Sequence, residues 1–317
     1  MKRVIAICAL LGCIAIVFWA IKCQQSPRAL RIAINPWPGY EPMFIARDRG
    51  LFAAHGLDVQ LIELSSVDDS LHSYQQGDVD GLCATLVEVE LARRHGRQGA
   101  PRIVIIPDTS NGADVILARQ TIRTMKELRG KRVGIETAGL GAFVLHRALA
   151  HNQLTIADVK LVTADQDDMA KMFASDQVDA VVTYSPYSIE IVKAGGVKIF
   201  STAEIPGEVV DVIVLNPTMA TEVVTNQMRA VWSEVMDLIA REPDVCFAEM
   251  AKRQNITLEE FKLSMEGVTL MNGQDQEKLL LPVCYSSEIR TRVVLKIGMG
   301  RSLRCSSVTL DACARWA

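Results

Sequence analysis

Aromatic residues make up only 5% of this 317-residue chain, its basic side chains form no run, and its middle holds very little cysteine. Each shortage excludes something. A net charge of −3, without aromatic and basic residues interleaved, argues against a nucleic-acid-binding face. Of eight cysteines only Cys83 and Cys246 lie away from the two ends, so the central body is neither a disulfide scaffold nor a cysteine metal cluster. Both are expected as buried thiols. His55, His72, His95, His146 and His151 share no ligand spacing with one another or with cysteine. There is no Gly-x-Ser-x-Gly elbow and no Walker-type loop. Gly139-x-Gly141 follows a β-branched run, but Val144 stands where the dinucleotide fingerprint requires Gly or Ala. The expectation is a chain with no catalytic residues, no metal and no cofactor.

What is present begins with an apolar stretch. Lys2 and Arg3 precede an uncharged run over residues 4–21, so 1–22 reads as an export signal or a membrane anchor. Leu10-Leu11-Gly12-Cys13 resembles the lipobox of bacterial lipoproteins, which makes Cys13 a candidate for acylation. Either reading tethers the body outside the cytoplasmic membrane, because the positive end stays inside. Residues 23–30 follow as a linker. At the other end, 281–317 carries six basic residues against two acidic ones, three cysteines and no regular apolar period. This aberrant tail is expected to be foreign to the fold, for instance the product of a reading-frame slip.

Between the ends lies an internal repeat with an offset near one hundred residues. Arg31-Ile32-Ala33-Ile34-Asn35 matches Arg132-Val133-Gly134-Ile135-Glu136, and Leu57-Asp58-Val59 matches Ala157-Asp158-Val159. Asp68 and Asp167 open similar helical patterns, which end at Gly77-Asp78-Val79-Asp80 and Asp176-Gln177-Val178-Asp179. Asp114-Val115-Ile116-Leu117 echoes Asp211-Val212-Ile213-Val214. Strands alternating with helices in each copy imply an α/β fold of two lobes, each a mostly parallel sheet flanked by helices. The lobes are expected at 31–118 and 119–211. Residues 212–280 supply a return crossing and helices, among them Met228 to Ile239, that pack on lobe 1.

Trp37-Pro38-Gly39-Tyr40-Glu41-Pro42, Gly50-Leu51-Phe52, Gly56-Leu57-Asp58-Val59 and Leu128-Arg129-Gly130-Lys131-Arg132-Val133-Gly134 carry a family resemblance. The chain resembles the substrate-binding proteins of nitrate, sulfonate, taurine and thiamin-pyrimidine-precursor ABC importers over roughly residues 30–270. The resemblance implies a type II periplasmic-binding-protein fold, with crossings near 115–119 and 212–217 and a small-molecule ligand clamped by hinge closure. It also implies an ABC permease and ATPase as partners. A periplasmic sensor for a signalling partner is a second possibility. A cofactor-consuming thiamin-pyrimidine synthase-like enzyme is a third, although the candidate loops hold no lysine for that chemistry. The body is expected to be a monomer that binds no nucleic acid.

The loops that follow the strands are residues 35–43, 84–90, 107–114, 136–142, 183–190 and 204–211, and none contains Lys or Arg. Loops at the carboxyl ends of strands are where open α/β sheets hold ligands. The first offers Trp37, Gly39, Tyr40 and Glu41; the second, Thr85 and Glu88. The third is the polar turn with Asp108, Ser110, Asn111 and Asp114. Gly139, Gly141 and Ala142 offer backbone N–H groups, and the next loop offers Thr183, Tyr184 and Tyr187. Glu208 and Asp211 complete the set. Oxyanions favour guanidinium forks or ammonium groups, whereas aromatic faces with carboxylates suit amines and planar heterocycles. The expected ligand is therefore neutral or cationic, amine- or pyrimidine-like, with nitrate-, sulfonate- or taurine-type anions as the alternative.

Overall fold

The computed structural model describes residues 29–136 and 139–276, with two short strands at 294–295 and 303–304. The export or anchor segment with Cys13, most of the linker, and all of the basic tail apart from those strands lie outside the described residues.

The chain first runs through β1 (Leu30–Ile34), α1 (Glu41–Asp48), α2 (Leu51–Ala54), β2 (Val59–Glu63), α3 (Val67–Gln76), β3 (Gly81–Thr85), α4 (Leu86–His95), β4 (Arg102–Ile105) and β5 (Asp108–Ser110). It then crosses into β6 (Val115–Ala118), β7 (Arg132–Ile135), α5 (Leu140–His151), β8 (Lys160–Thr163), α6 (Gln166–Ala174), β9 (Ala180–Thr183), α7 (Tyr187–Lys193) and β10 (Val197–Ser201). It returns through β11 (Val209–Leu215), α8 (Glu222–Arg241), α9 (Pro243–Arg253), α10 (Leu258–Met265) and β12 (Val268–Leu270).

Both sheets follow one scheme. In the first, the order is β2-β1-β3-β11-β5-β12, with β4 also on β11; in the second it is β8-β7-β9-β6-β10. A parallel trio is thus followed, in each lobe, by an antiparallel strand delivered from the other lobe. This is the two-lobed α/β architecture of type II periplasmic binding proteins. The crossings fall at residues 111–114 and 205–208, before the positions expected from sequence. β6, expected in lobe 1, pairs in the second sheet, and β11 pairs wholly in the first. The cause is tertiary: all seven residues of β11 are buried, and the strand aligns along β3 from Asp211 opposite Thr85 to Leu215 opposite Gly81.

The repeat reappears as a duplicated brace. Asp80 accepts from the backbone N–H of Arg31 at 3.0 Å and from its Nε at 3.2 Å; Asp179 accepts from the same atoms of Arg132 at 2.8 and 3.1 Å. Each brace ties the first strand of a trio to the residue just before the third. α8 then covers lobe 1. Thr221 caps it by accepting from Val224 N–H, and Met228, Val231, Trp232, Val235 and Ile239 form its buried stripe at helical spacing. They join α1, α9 and α10 in one core with Phe44, Phe52 and Phe261.

Candidate functional site

The trio order places the carboxyl ends of β1 and β3 side by side in lobe 1, facing the corresponding ends of β7 and β9. A cavity of about 10 Å³ remains between them, lined by Asn35, Trp37, Tyr40, Val67, Thr85, Asp114, Leu140, Tyr184 and Asp211. That is room for about one water molecule. The lobes are shut on each other, and an organic solute enters only if they part. Tyr187 donates across the seam to Ser65 O at 2.5 Å, and Asn35 Nδ2 donates to Tyr184 Oη at 3.5 Å. Ser264 and Ser185 meet at 2.8 Å, and the Trp37 and Tyr184 rings pack edge to face at 5.8 Å.

Two carboxyl groups, Asp114 and Asp211, stand in the walls, and others lie close behind them. Trp37 Nε1 donates to both oxygens of Asp108, at 3.2 and 3.3 Å, and the Tyr40 hydroxyl donates to Asp211 at 2.5 Å. Asp108 and Asp211 also lie close enough for each to perturb the other's titration. Burial raises Asp108 to about 7 and Asp211 well above the usual range, the neighbouring Asp108 charge adding to the second. Burial likewise raises Asp114 and Glu136 to about 7, partly offset by Ser110 and Gln166. Glu88 is raised by burial too, against hydrogen bonds from Thr85. Asn35 Oδ1, Glu88 Oε1, Asp114 Oδ2, Glu136 Oε1 and Asp211 Oδ2 are buried without a hydrogen-bond partner. Each such atom costs about 1–3 kcal/mol unless a donor reaches it.

The expected site residues divide into three groups. Trp37, Tyr40, Thr85, Asp114, Tyr184 and Asp211 line the cavity. Asp108 lies directly behind Trp37, and a Cβ on Gly39 would stand 2.0 Å from Asp108 Oδ2, so glycine there permits the approach. Gly139, Gly141 and Ala142 form the first turn of α5, beside Glu88, while Tyr187 latches the rim.

Others point elsewhere. Glu41 is fully buried but turned away from the crevice, held by Arg253 and by Gln254 Nε2 at 2.8 Å. Its charge needs the cation that α9 brings. Glu208 lies at the second crossing, paired with Arg147 Nη2 at 2.7 Å. Ser110 bonds Thr202 at 2.8 Å, and exposed Asn111 donates its N–H to Gly267 O, so both stitch the first crossing. Thr183 donates to Gln166 Oε1 at 3.0 Å beneath the cleft floor. These corrections share a cause: a residue's place in a loop does not say which neighbour claims its side chain.

Asn35, Val67, Leu140, Glu136 and Gln166 were not among the expected site residues. The repeat held a usable signal, since Asn35 and Glu136 are equivalent strand-end positions. Val67 and Gln166 likewise each open the helix that leads into the third strand of their trio.

With this geometry in view, comparison with known proteins is informative. The model of the NMT1-like family matches residues 24–245. The chain belongs to the NMT1-like family. A Brucella abortus chain named only as a binding protein is 25% identical over 146 residues, covering 45% of this chain and 43% of that one. An Escherichia coli chain named for binding aliphatic sulfonates is 24% identical over 204 residues, 63% of this chain and 62% of its own. This NMT1-like chain thus spans less than two thirds of the length of either relative. Among solved structures, the alkanesulfonate-binding protein of Xanthomonas axonopodis pv. citri, bound to MOPS, superposes with a TM-score of 0.66 at 18% identity. It covers 78% of this chain and 89% of its own. The periplasmic nitrate-binding protein of Synechocystis PCC 6803 gives 0.60 at 14% identity, over 78% and 75%. At such identities the likeness establishes the fold.

Proposed function

We propose that this NMT1-like protein is the solute-binding component of an ABC importer. It works outside the cytoplasmic membrane, as a tethered monomer without catalysis or cofactor. Its lobes close about residues 111–114 and 205–208 over a small organic ligand and deliver it to a permease and its ATPase. The two-lobed fold and the names of its relatives support this reading.

The ligand carries hydrogen-bond donors and is neutral or cationic, amine- or pyrimidine-like. One observation carries this: five buried acceptor atoms lie in or beside a cavity whose described lining contains no Lys or Arg. A donor-bearing ligand satisfies them, and the Trp37, Tyr40 and Tyr184 rings favour a cation or a planar ring. A second reading takes a sulfonate- or nitrate-type oxyanion. The names of the E. coli, Xanthomonas and Synechocystis proteins favour it, as does the uncapped N-terminus of α5. Thermal-shift titration of the purified protein separates the two. Stabilisation by small primary amines or aminopyrimidines, with none by methanesulfonate or nitrate, is the expected result; the reverse pattern establishes the oxyanion.

A further inference from the structure

We propose that Glu88 sets the charge selectivity of the cleft: it reaches from the first lobe to the N-terminal turn of α5 in the second and holds the place a ligand oxyanion would take. This rests on the ligand reading above, and names the residue behind it.

α5 is twelve residues long, has no acidic side chain in its first turn and receives no side-chain cap from Gly139. Such a bare turn presents free N–H groups and the positive end of the helix dipole, which attract negative charge. Glu88 answers it from across the seam. One of its oxygens is tied down, since Oε2 accepts from Thr85 N–H at 2.9 Å and from the Thr85 hydroxyl at 2.5 Å. That anchorage aims Oε1 at α5, where it stands 2.3 Å from the position of a Cβ on Gly139. Burial opposes the Glu88 charge, which the Thr85 bonds and the Leu140 N–H lying toward the carboxyl partly steady, and no hydrogen bond of full geometry reaches Oε1. Asp68 Oδ1, at 2.8 Å from the same Cβ position, faces the turn from α3. Gly139 itself, with φ +71°, leaves the space both carboxyls use. Asp114 and Glu136 both feel the Glu88 charge, so an incoming anion meets acidic groups from the first lobe, the crossing and the second lobe.

A purely local role is the competing account, because Thr85 and Glu88 form the capping box of α4. Glutamine satisfies that box equally well. Glu88→Gln therefore keeps the cap, removes the charge and turns an NH2 donor toward α5 where Oε1 stood. Wild type, E88Q and the double variant E88Q/D68N would be titrated with methanesulfonate and with nitrate at millimolar concentration. Melting would be referred to each protein's own ligand-free value and folding checked by circular dichroism. The expected result is no shift for wild type, a gain of about 2 °C or more for E88Q, and a larger gain for the double variant. A shift of wild type by either anion overturns the proposal, as does the absence of any shift in both folded variants. The amine titration on wild type is a separate readout. Its failure removes the ligand reading, while anion binding gained by E88Q still assigns Glu88 its role.

Discussion

In both lobes an arginine at or near the start of the first strand grips an aspartate just before the third, through its backbone N–H as well as its guanidinium. Around that common brace the lobes diverge. After β1 the first lobe turns through Pro38–Tyr40 and projects Trp37 and Tyr40 onto Asp108 and Asp211. After β7 the second lobe offers the bare first turn of α5. The first lobe also carries α8, α9 and α10, which have no counterpart in the second among the described residues. The comparison separates two kinds of constraint. Framework positions are held by ties that need one residue type at one spacing, so they are copied. Cleft positions need only reach the cavity, so the first lobe supplies most of the side chains, while the second adds Tyr184 and Leu140 to the backbone turn of α5.

The largest test of this asymmetry is Arg253→Ala. Arg253 lies 3.5 Å over the Phe44 ring and pairs with fully buried Glu41, a clamp found among the described residues only in the first lobe. Removing one partner leaves a buried charge alone, and urea unfolding should show a loss of about 3–5 kcal/mol.

Next comes pH. Asp108, Asp114 and Glu136 are held near 7 in the folded protein, against an unfolded value near about 4. Between those values the folded state binds more protons, so stability falls as pH rises through the window and levels off above it. Melting temperature should therefore rise by several degrees from about pH 8 to about pH 5.5. Asp114→Asn should flatten the slope. Unchanged melting across this range would place the carboxyls in an open, solvated cleft.

The braces themselves give a smaller, paired effect. Arg31 and Asp80 have 29% and 6% of their side chains exposed, against 41% and 20% for Arg132 and Asp179. Asp80→Ala should cost about 2 kcal/mol and Asp179→Ala about 1 kcal/mol, because solvent screens the second pair more. Equal losses would show that backbone anchoring, identical in both lobes, dominates. Smallest is Tyr187→Phe, which removes one bond across the seam. About 0.5–1 kcal/mol of closure should be lost, read as a slightly larger radius of gyration with melting almost unchanged.

Much of the framework was legible beforehand. The repeat located β1 and β7 and identified two lobes, because duplicated braces preserve their spacing, and helical apolar spacing located α8. Within the site, Trp37, Tyr40, Thr85, Asp114, Tyr184 and Asp211 were legible as polar or aromatic residues in loops after strands. Glu41 and Glu208 were not, because each was claimed by an arginine far away in sequence: Arg253 by 212 positions and Arg147 by 61. Asn35 and Glu136 opened two of the candidate loops but were not singled out, as strand ends that reveal a cavity only once the lobes face each other.

Composition and order along the chain, by themselves, determined two similar α/β lobes with acidic, aromatic loops free of Lys and Arg, since local periodicity and residue type are properties of the chain. Only the tertiary structure decided which sheet β6 and β11 join and which carboxyls share the cleft. It also decided that Glu88 meets the helix of the opposite lobe. Strand pairing, burial and the fields of buried charges depend on residues brought together from distant parts of the chain, and no local pattern encodes that meeting.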